Sequence, residues 1–257
     1  MIRLLYRLYE RHLAREVGQG PMPAHIAFIL DGNRRHGERH RLADPNAIYA
    51  LGARKLDEVL EWCGEFRVPA VTLWVLSTDN FNRPIDQVSG ILAAIETKMR
   101  ALVHDPQIHS RRVRIQAIGK LELLPSSTVA AIRAAREATS GYDGMVLTIV
   151  VAYGGRAEIV DAVRALLAEE RRNGATLDDA IARVSVEAIS RHLYMAGMPD
   201  PDLIVRTSGE VRLSGFLLWQ SAYSEFYFSD VYWPAFRKID FLRAIRAYQQ
   251  RKRRFGK

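Results

Sequence analysis

The stretch His25-Ile26-Ala27-Phe28-Ile29-Leu30-Asp31-Gly32-Asn33-Arg34-Arg35 holds a short apolar run that breaks abruptly into charge. Six residues without a formal charge suit a buried strand, and Asp-Gly-Asn is turn chemistry that stops one. A strand buried on both faces belongs to a parallel sheet covered by helices, in which apolar runs replace strict alternation. The same pattern recurs outward from here. Pro21 and Pro23 mark a boundary before the strand, and helical periodicity over Ala47–Phe66 follows it until Pro69. Val71–Leu76 is a second apolar run, breaking into the polar loop Ser77–Pro84. Helical Ile85–Val103, strand Val113–Ile118, helical Ser126–Thr139 and the β-branched strand Met145–Ala152 come next. Helices over Ala157–Glu170 and Val186–Leu193, a short strand Leu203–Val205 and a basic closing helix Phe241–Arg253 complete the series.

Strand, polar loop and helix repeated about five times predict an α/β protein with a mostly parallel central sheet surrounded by helices. No internal repeat or long linker divides the chain. One domain over 21–257 is expected, preceded by a basic amphipathic helix over 1–20. Loops at the carboxyl ends of such strands hold ligands, and three of them here combine Asp, Asn, Ser and Arg.

Composition narrows the partners. Hydrophobic residues make up 48% of the 257, with a formal net charge of +8, and no apolar run is long enough to cross a membrane. The lone cysteine, Cys63, excludes an internal disulfide and suits a reducing cytoplasm. The positive charge would serve nucleic acid, an anionic membrane surface or small anionic substrates. No nucleic-acid module is present, and many arginines lie in glycine-bearing turns, where phosphates are held.

Three loops carry the candidate chemistry. Asp31 at a strand end, before Gly32, could hold a divalent cation while following N–H groups face a phosphate; the same residues also read as an Asp-Gly turn with solvated arginines. The loop Ser77-Thr78-Asp79-Asn80-Phe81-Asn82-Arg83-Pro84 holds more polar groups than a capping turn needs. Arg206 and Arg212, with Ser214, surround Gly209 and could grip a diphosphate. Glu225 sits among Tyr223, Phe226, Tyr227 and Phe228, where a carboxylate is costly unless it is paired or on a metal, or lies on a surface face.

Taken together these motifs resemble one family. Asp31-Gly32-Asn33-x-Arg35, Ser77-x-x-Asn80-x-x-Arg83-Pro84, Tyr153-Gly154-Gly155-Arg156 and Arg206-Thr207-x-Gly209-Glu210-x-Arg212-x-Ser214 are similar to cis-prenyltransferases, the undecaprenyl diphosphate synthase family. Leu217-Leu218-Trp219-Gln220-x-Ala222-Tyr223-x-Glu225 and Arg251-x-Arg253-Arg254-Phe255-Gly256 extend the match to the end of the chain. Within the family the chain looks nearest to short-chain Z-farnesyl diphosphate synthases.

The resemblance implies Mg²⁺-dependent condensation of isopentenyl diphosphate with an allylic diphosphate, in a cytoplasmic homodimer with at most peripheral membrane contact. Asp31 would bind Mg²⁺, with Glu225 as a second metal contact, across the dimer or near its edge. Gly32, Asn33, Arg34 and Arg35 would cradle the allylic diphosphate, and Asn80 would aid proton removal. Ser77, Thr78, Asp79, Phe81 and Arg83 would line the site. Arg206, Arg212, Leu213 and Ser214 would hold isopentenyl diphosphate, and Arg254 and Gly256 would complete a neighbouring subunit's site. An apolar tunnel would take the tail, with Val75, between the family's Ala and Leu, suggesting a short product near C15.

The chain departs from the family pattern at His36 and Phe81, where Trp is usual, at Asp79, where Glu is usual, and at Tyr49, where His is usual. His36 is expected to touch the allylic tail or to be neutral drift. Irregular, lavandulyl-type coupling and a longer product remain alternatives. Trans-type chemistry is excluded: the adjacent pair Asp178-Asp179 leads only into Ala-Ile-Ala.

Overall fold

In β1 (His25–Ile29), alternate side chains fall on opposite faces of a sheet, and both faces are covered. Ile26 and Phe28 join one apolar cluster; Ala27 and Ile29 join another on the far side. This computed structural model describes residues 2–42 and 44–251. Five more strands follow: β2 (Ala70–Trp74), β3 (Arg114–Ile118), β4 (Val146–Val150), β5 (Leu203–Arg206) and β6 (Glu225–Phe228). They form one sheet in the order β3-β4-β2-β1-β5-β6, with every pair parallel.

The helices are α1 (Ile2–Gly18), α2 (Asn33–Arg39), α3 (Pro45–Glu65), α4 (Ile85–Leu102), α5 (Pro106–Ser110) and α6 (Ser126–Ala138), then α7 (Gly155–Arg172), α8 (Leu177–Arg183), α9 (Val186–Ser190) and α10 (Lys238–Gln250). The larger cluster lies between the sheet and α3, α4, α6 and α10, and the smaller one gathers Trp74, Tyr153, Phe216 and Leu217 on the other face. Leu13 and Val17 of α1 are fully buried, and Gln249 of α10 donates to the Val17 carbonyl at 2.8 Å. Among the described residues no helix is long and apolar enough to cross a membrane.

Four elements have no counterpart in the sequence expectation, the short helices α2, α5 and α8 and the strand β6, and two of them bear on the site. The turn at Asp31-Gly32-Asn33 runs directly into a helix, because Gly32 takes a left-handed φ of 97° and so lets α2 start one residue later. A Cβ at Gly32 would come within 2.7 Å of Tyr232, so the close approach also needs glycine. The aromatic run after Tyr223 contains the sixth strand, which is short and half-buried throughout. A four-residue edge strand of this kind carries neither alternation nor a long apolar run.

The register sets the site. Ile29 lies level with Trp74 on one side and Arg206 on the other, so the loops after β1, β2 and β5 emerge together. Strand order reverses about β1, which is the position where open α/β sheets leave a crevice.

Candidate active site

A cavity of about 590 Å³ opens at the carboxyl ends of these strands. It is lined by Asp31, Gly32, Asn33, Arg34 and Arg35 from the first loop and Ser77, Asp79, Asn80 and Arg83 from the second. The third loop adds Arg206, Glu210, Arg212 and Ser214.

Asp31 is the hub. Its Oδ2 accepts from Arg206 at 2.8 Å and its Oδ1 from Arg35 at 3.2 Å. Burial alone would push the carboxyl up, but the hydrogen bond and charge of Arg206, then the charge of Arg35, hold it below the ordinary range. Arg206 is only 4% exposed, and its Nη1 donates to Ser214 Oγ at 2.8 Å and to the Arg212 carbonyl. The Arg206 side chain therefore ties β1 to the third loop. Ser208 and Ser214 hold positive φ values of 82° and 52°, unusual for residues with a Cβ. Arg35 donates to Ser208 Oγ at 2.7 Å and Glu210 Oε1 at 3.0 Å, and lies over the Tyr232 ring. Arg212, largely exposed, pairs with Glu210 Oε2 at 2.5 Å. Glu210 thus occupies two guanidinium groups that an incoming diphosphate could take over.

The second loop is fixed by its own cap. Ser77 Oγ accepts from Asn80 N at 3.2 Å, and Asn80 Oδ1 accepts from Ser77 N at 3.1 Å. Asn80 is thereby held at the cavity wall, its Oδ1 accepting from Ser77 N and its NH₂ left to donate.

Below the third loop sits a carboxylate that the sequence reading did not single out. Glu158, fully buried, accepts from the Tyr153 hydroxyl at 2.5 Å, Tyr194 N at 2.9 Å and Gln220 Nε2 at 3.0 Å. Burial pushes this carboxyl up, partly offset by those three donors. Trp74 stacks on Phe216 at 5.1 Å, so the far end of the same loop is pinned to β2.

Several expected residues lie outside the cavity lining. His36 stacks against His40, ring centroids 4.3 Å apart, on α2. Phe81 packs on the larger core and Leu213 on the smaller one. The Thr78 N–H donates to the Tyr153 carbonyl. Glu225 begins β6 beside Leu203, three residues and about 10 Å of strand below Arg206, and its carboxylate pairs with Arg251 at 2.5 Å. One chain therefore does not bring Glu225 to Asp31. Arg254 and Gly256 lie outside the described residues. Asp179 of the adjacent acidic pair caps α8, accepting from Thr176 N at 3.1 Å.

A second, apolar pocket of about 80 Å³ adjoins the cavity and shares Leu30, Asn33, Tyr49, Val75 and Ile91 with it. The Tyr49 hydroxyl and Asn33 Oδ1, both buried, have no hydrogen-bond partner at this seam. Ile91 carries no polar motif that could signal it, whereas Tyr49 is marked in the sequence by standing where the family's His is usual.

An arginine-rich crevice at a strand-order reversal, opening into an apolar pocket, defines an enzyme that handles an anionic head and an apolar tail. A family model described as putative undecaprenyl diphosphate synthase matches residues 29–256, and the chain belongs to that family of cis-prenyltransferases. It is 52% identical over 250 residues to an isoprenyl transferase of Deinococcus radiodurans, covering 97% of this chain and 91% of the relative. It is 50% identical over 252 residues to the (2Z,6E)-farnesyl diphosphate synthase of Thermobifida fusca, covering 98% and 97%. Lavandulyl diphosphate synthase from Lavandula x intermedia, solved with dimethylallyl diphosphate, superposes with a TM-score of 0.83 at 31% identity, covering 94% of this chain and 100% of that one.

Proposed function

We propose that the protein condenses isopentenyl diphosphate with an allylic diphosphate, with Z geometry at the new double bond and with Mg²⁺, and stops at a short product near C15. The observation that carries this reading is the continuity of the polar cavity with a small apolar pocket through five shared residues.

The donor set suits magnesium. Among the described residues no three His, Cys, Asp or Glu side chains cluster to hold a metal. Mg²⁺ needs no such cage, because it is commonly held by one or two carboxylates together with substrate phosphates and water. Asp31, kept ionised by its arginines, is the carboxylate at hand. Bound there, Mg²⁺ would neutralise charge on the departing diphosphate.

Arg35 and the first N–H groups of α2, which have no intrahelical acceptors, hold the allylic diphosphate. Arg212 and Ser214 hold the diphosphate of isopentenyl diphosphate, with Arg206 fixing their loop against Asp31. The isopentenyl double bond attacks the allylic carbon as its C–O bond breaks. The proton then leaves to a diphosphate oxygen, a far stronger base than the neutral Asn80 amide, which Ser77 holds in place and whose NH₂ is left to donate.

The shortness of the product is supported by volume. The apolar pocket is small, about 80 Å³ as it stands, and has to widen to take each isoprene unit. Val75 narrows it with a branched side chain. The Thermobifida relative, named for a C15 product, agrees. The protein works as a homodimer in this reading, with Arg254 and Gly256 completing a partner's site and Glu225 reaching a metal only from a second copy. The one thiol, Cys63, accords with a reducing cytoplasm.

The lavandulyl neighbour favours a second reading, in which two dimethylallyl units couple. Supplying dimethylallyl diphosphate alone or with isopentenyl diphosphate, with and without a Mg²⁺ chelator, separates the two. Product formed only with both substrates and Mg²⁺ supports the first reading. Product from dimethylallyl diphosphate alone defeats it.

A further inference from the structure

The apolar pocket runs between α3 and α4, which lie parallel here: Gly90 is packed against Pro45 and Tyr49 near the mouth, and Lys98 meets Asp57 deeper in. Eight residues separate Tyr49 from Asp57, about 12 Å of helix. Between those levels the lining includes Gly52, Ala53 and Ala94, small residues that leave room. At the deep end stands Lys98, the one charged residue in the lining among those described. Its side chain is 12% exposed, and its ammonium is bound by the Asp57 carboxylate, which is 50% exposed. The stem forms wall while the charge is led outward to a partner on the opposite helix.

We propose that the Lys98–Asp57 pair is the stop that sets product length, a specificity role for two residues remote from the diphosphate site. This rests on the reading that the growing tail enters this pocket. A tail that reaches Lys98 meets aliphatic stem it can pack on. To go further it must push the stem aside, parting an ammonium from its carboxylate within an apolar wall and separating α3 from α4. The obstacle is the stem and the close approach of the two helices that the pair spans, more than the half-exposed pair itself. Val75 narrows the entrance, whereas the ion pair closes the far end.

A partly exposed ion pair adds little to stability, so this role can be told from a structural one. Wild type, Lys98→Ala, Asp57→Asn, Val75→Ala and the charge-swapped double D57K/K98D would be given a C10 allylic starter with excess isopentenyl diphosphate and Mg²⁺. Products would be sized by mass spectrometry, with Tm and starter KM measured alongside. The expected result is a main product longer by at least one isoprene unit in Lys98→Ala and a smaller shift in Asp57→Asn. Starter KM should stay within about twofold, and the swap, which restores the ion pair without the Lys98 stem, should give lengths between wild type and Lys98→Ala. Asp57 is exposed enough for its variant to fold even if Lys98→Ala does not. Wild-type lengths from both single variants, while Val75→Ala lengthens the product, would overturn the latch and leave the tunnel reading standing. Silence in all three would remove both.

Discussion

The two ends of the channel are built in opposite ways. The polar end comes from loops after three strands, each side chain held by a neighbour: Asp31 by Arg206 and Arg35, Asn80 by Ser77, Arg212 by Glu210. The apolar end comes from the facing sides of α3 and α4 with Val75 and Ile149 beneath, and most of its members touch by shape; the polar ties are Trp233 Nε1 to the Gly52 carbonyl, Asn33 Nδ2 to the Leu30 carbonyl and Lys98 to Asp57. Chemistry needs groups fixed in position before substrate arrives, because preorganised charge stabilises developing charge without reorganising. A length limit needs only volume, which many residue combinations can supply. The polar end should therefore fail sharply when altered, and the apolar end should retune.

The largest effect is expected at the hub. Asp31→Ala should lower turnover by at least ~100-fold, about 2.7 kcal/mol of barrier, while circular dichroism shows the fold intact. Retention of more than about a tenth of the activity would mean Asp31 is a structural anchor for Arg206 only. One step out, Arg212→Ala should raise the apparent KM for isopentenyl diphosphate about 10–100-fold, the loss of a charge-assisted bond of roughly 1.5–3 kcal/mol. The starter's KM should change far less; the opposite pattern would exchange the two diphosphate sites. At the apolar end, Val75→Ala should lengthen the products while the first condensation keeps its kcat/KM within about threefold. A fall as large as that of Arg212→Ala would show that the two ends are not separable.

The smallest effect concerns acid. The Asp31 carboxyl is held below its ordinary value of 3.8, so its contribution to stability is complete above that value and is lost as pH falls through the lower folded one. The Tm advantage of wild type over Asp31→Asn should therefore be constant near neutrality and shrink only in strong acid. A gap that widens on acidification would mean the carboxyl is raised, not lowered.

The same contrast explains what could be read from the residues in order. Asp31, Arg35, Asn80, Arg206 and Ser214 announced themselves because polar groups crowd after apolar runs, and the parallel sheet puts those loops together. Val75 was legible as the strand residue sharing a face with Ser77. Ile91 and Lys98 are not: each is ordinary within its own helix, and only the packing of α3 on α4 makes them one wall with Tyr49, which the sequence marks only as a departure from the family's His. Glu158 was hidden for a related reason, since its three donors come from Tyr153, Tyr194 and Gln220, scattered along the chain. Glu225 stands out by its aromatic neighbours, and within one chain it lies three residues down an edge strand, paired with Arg251. His36, for which the sequence leaves tail contact and neutral drift both open, has its ring against His40 on the helix that starts at Asn33.

The most direct measurement of the central claim is the mass of the wild-type product after long incubation with labelled isopentenyl diphosphate in excess, Mg²⁺ and a C10 allylic starter. The proposed function predicts one labelled unit added with Z geometry and arrest at C15, even when substrate remains. Chains of C50 or longer, or a product carrying no label, would contradict it.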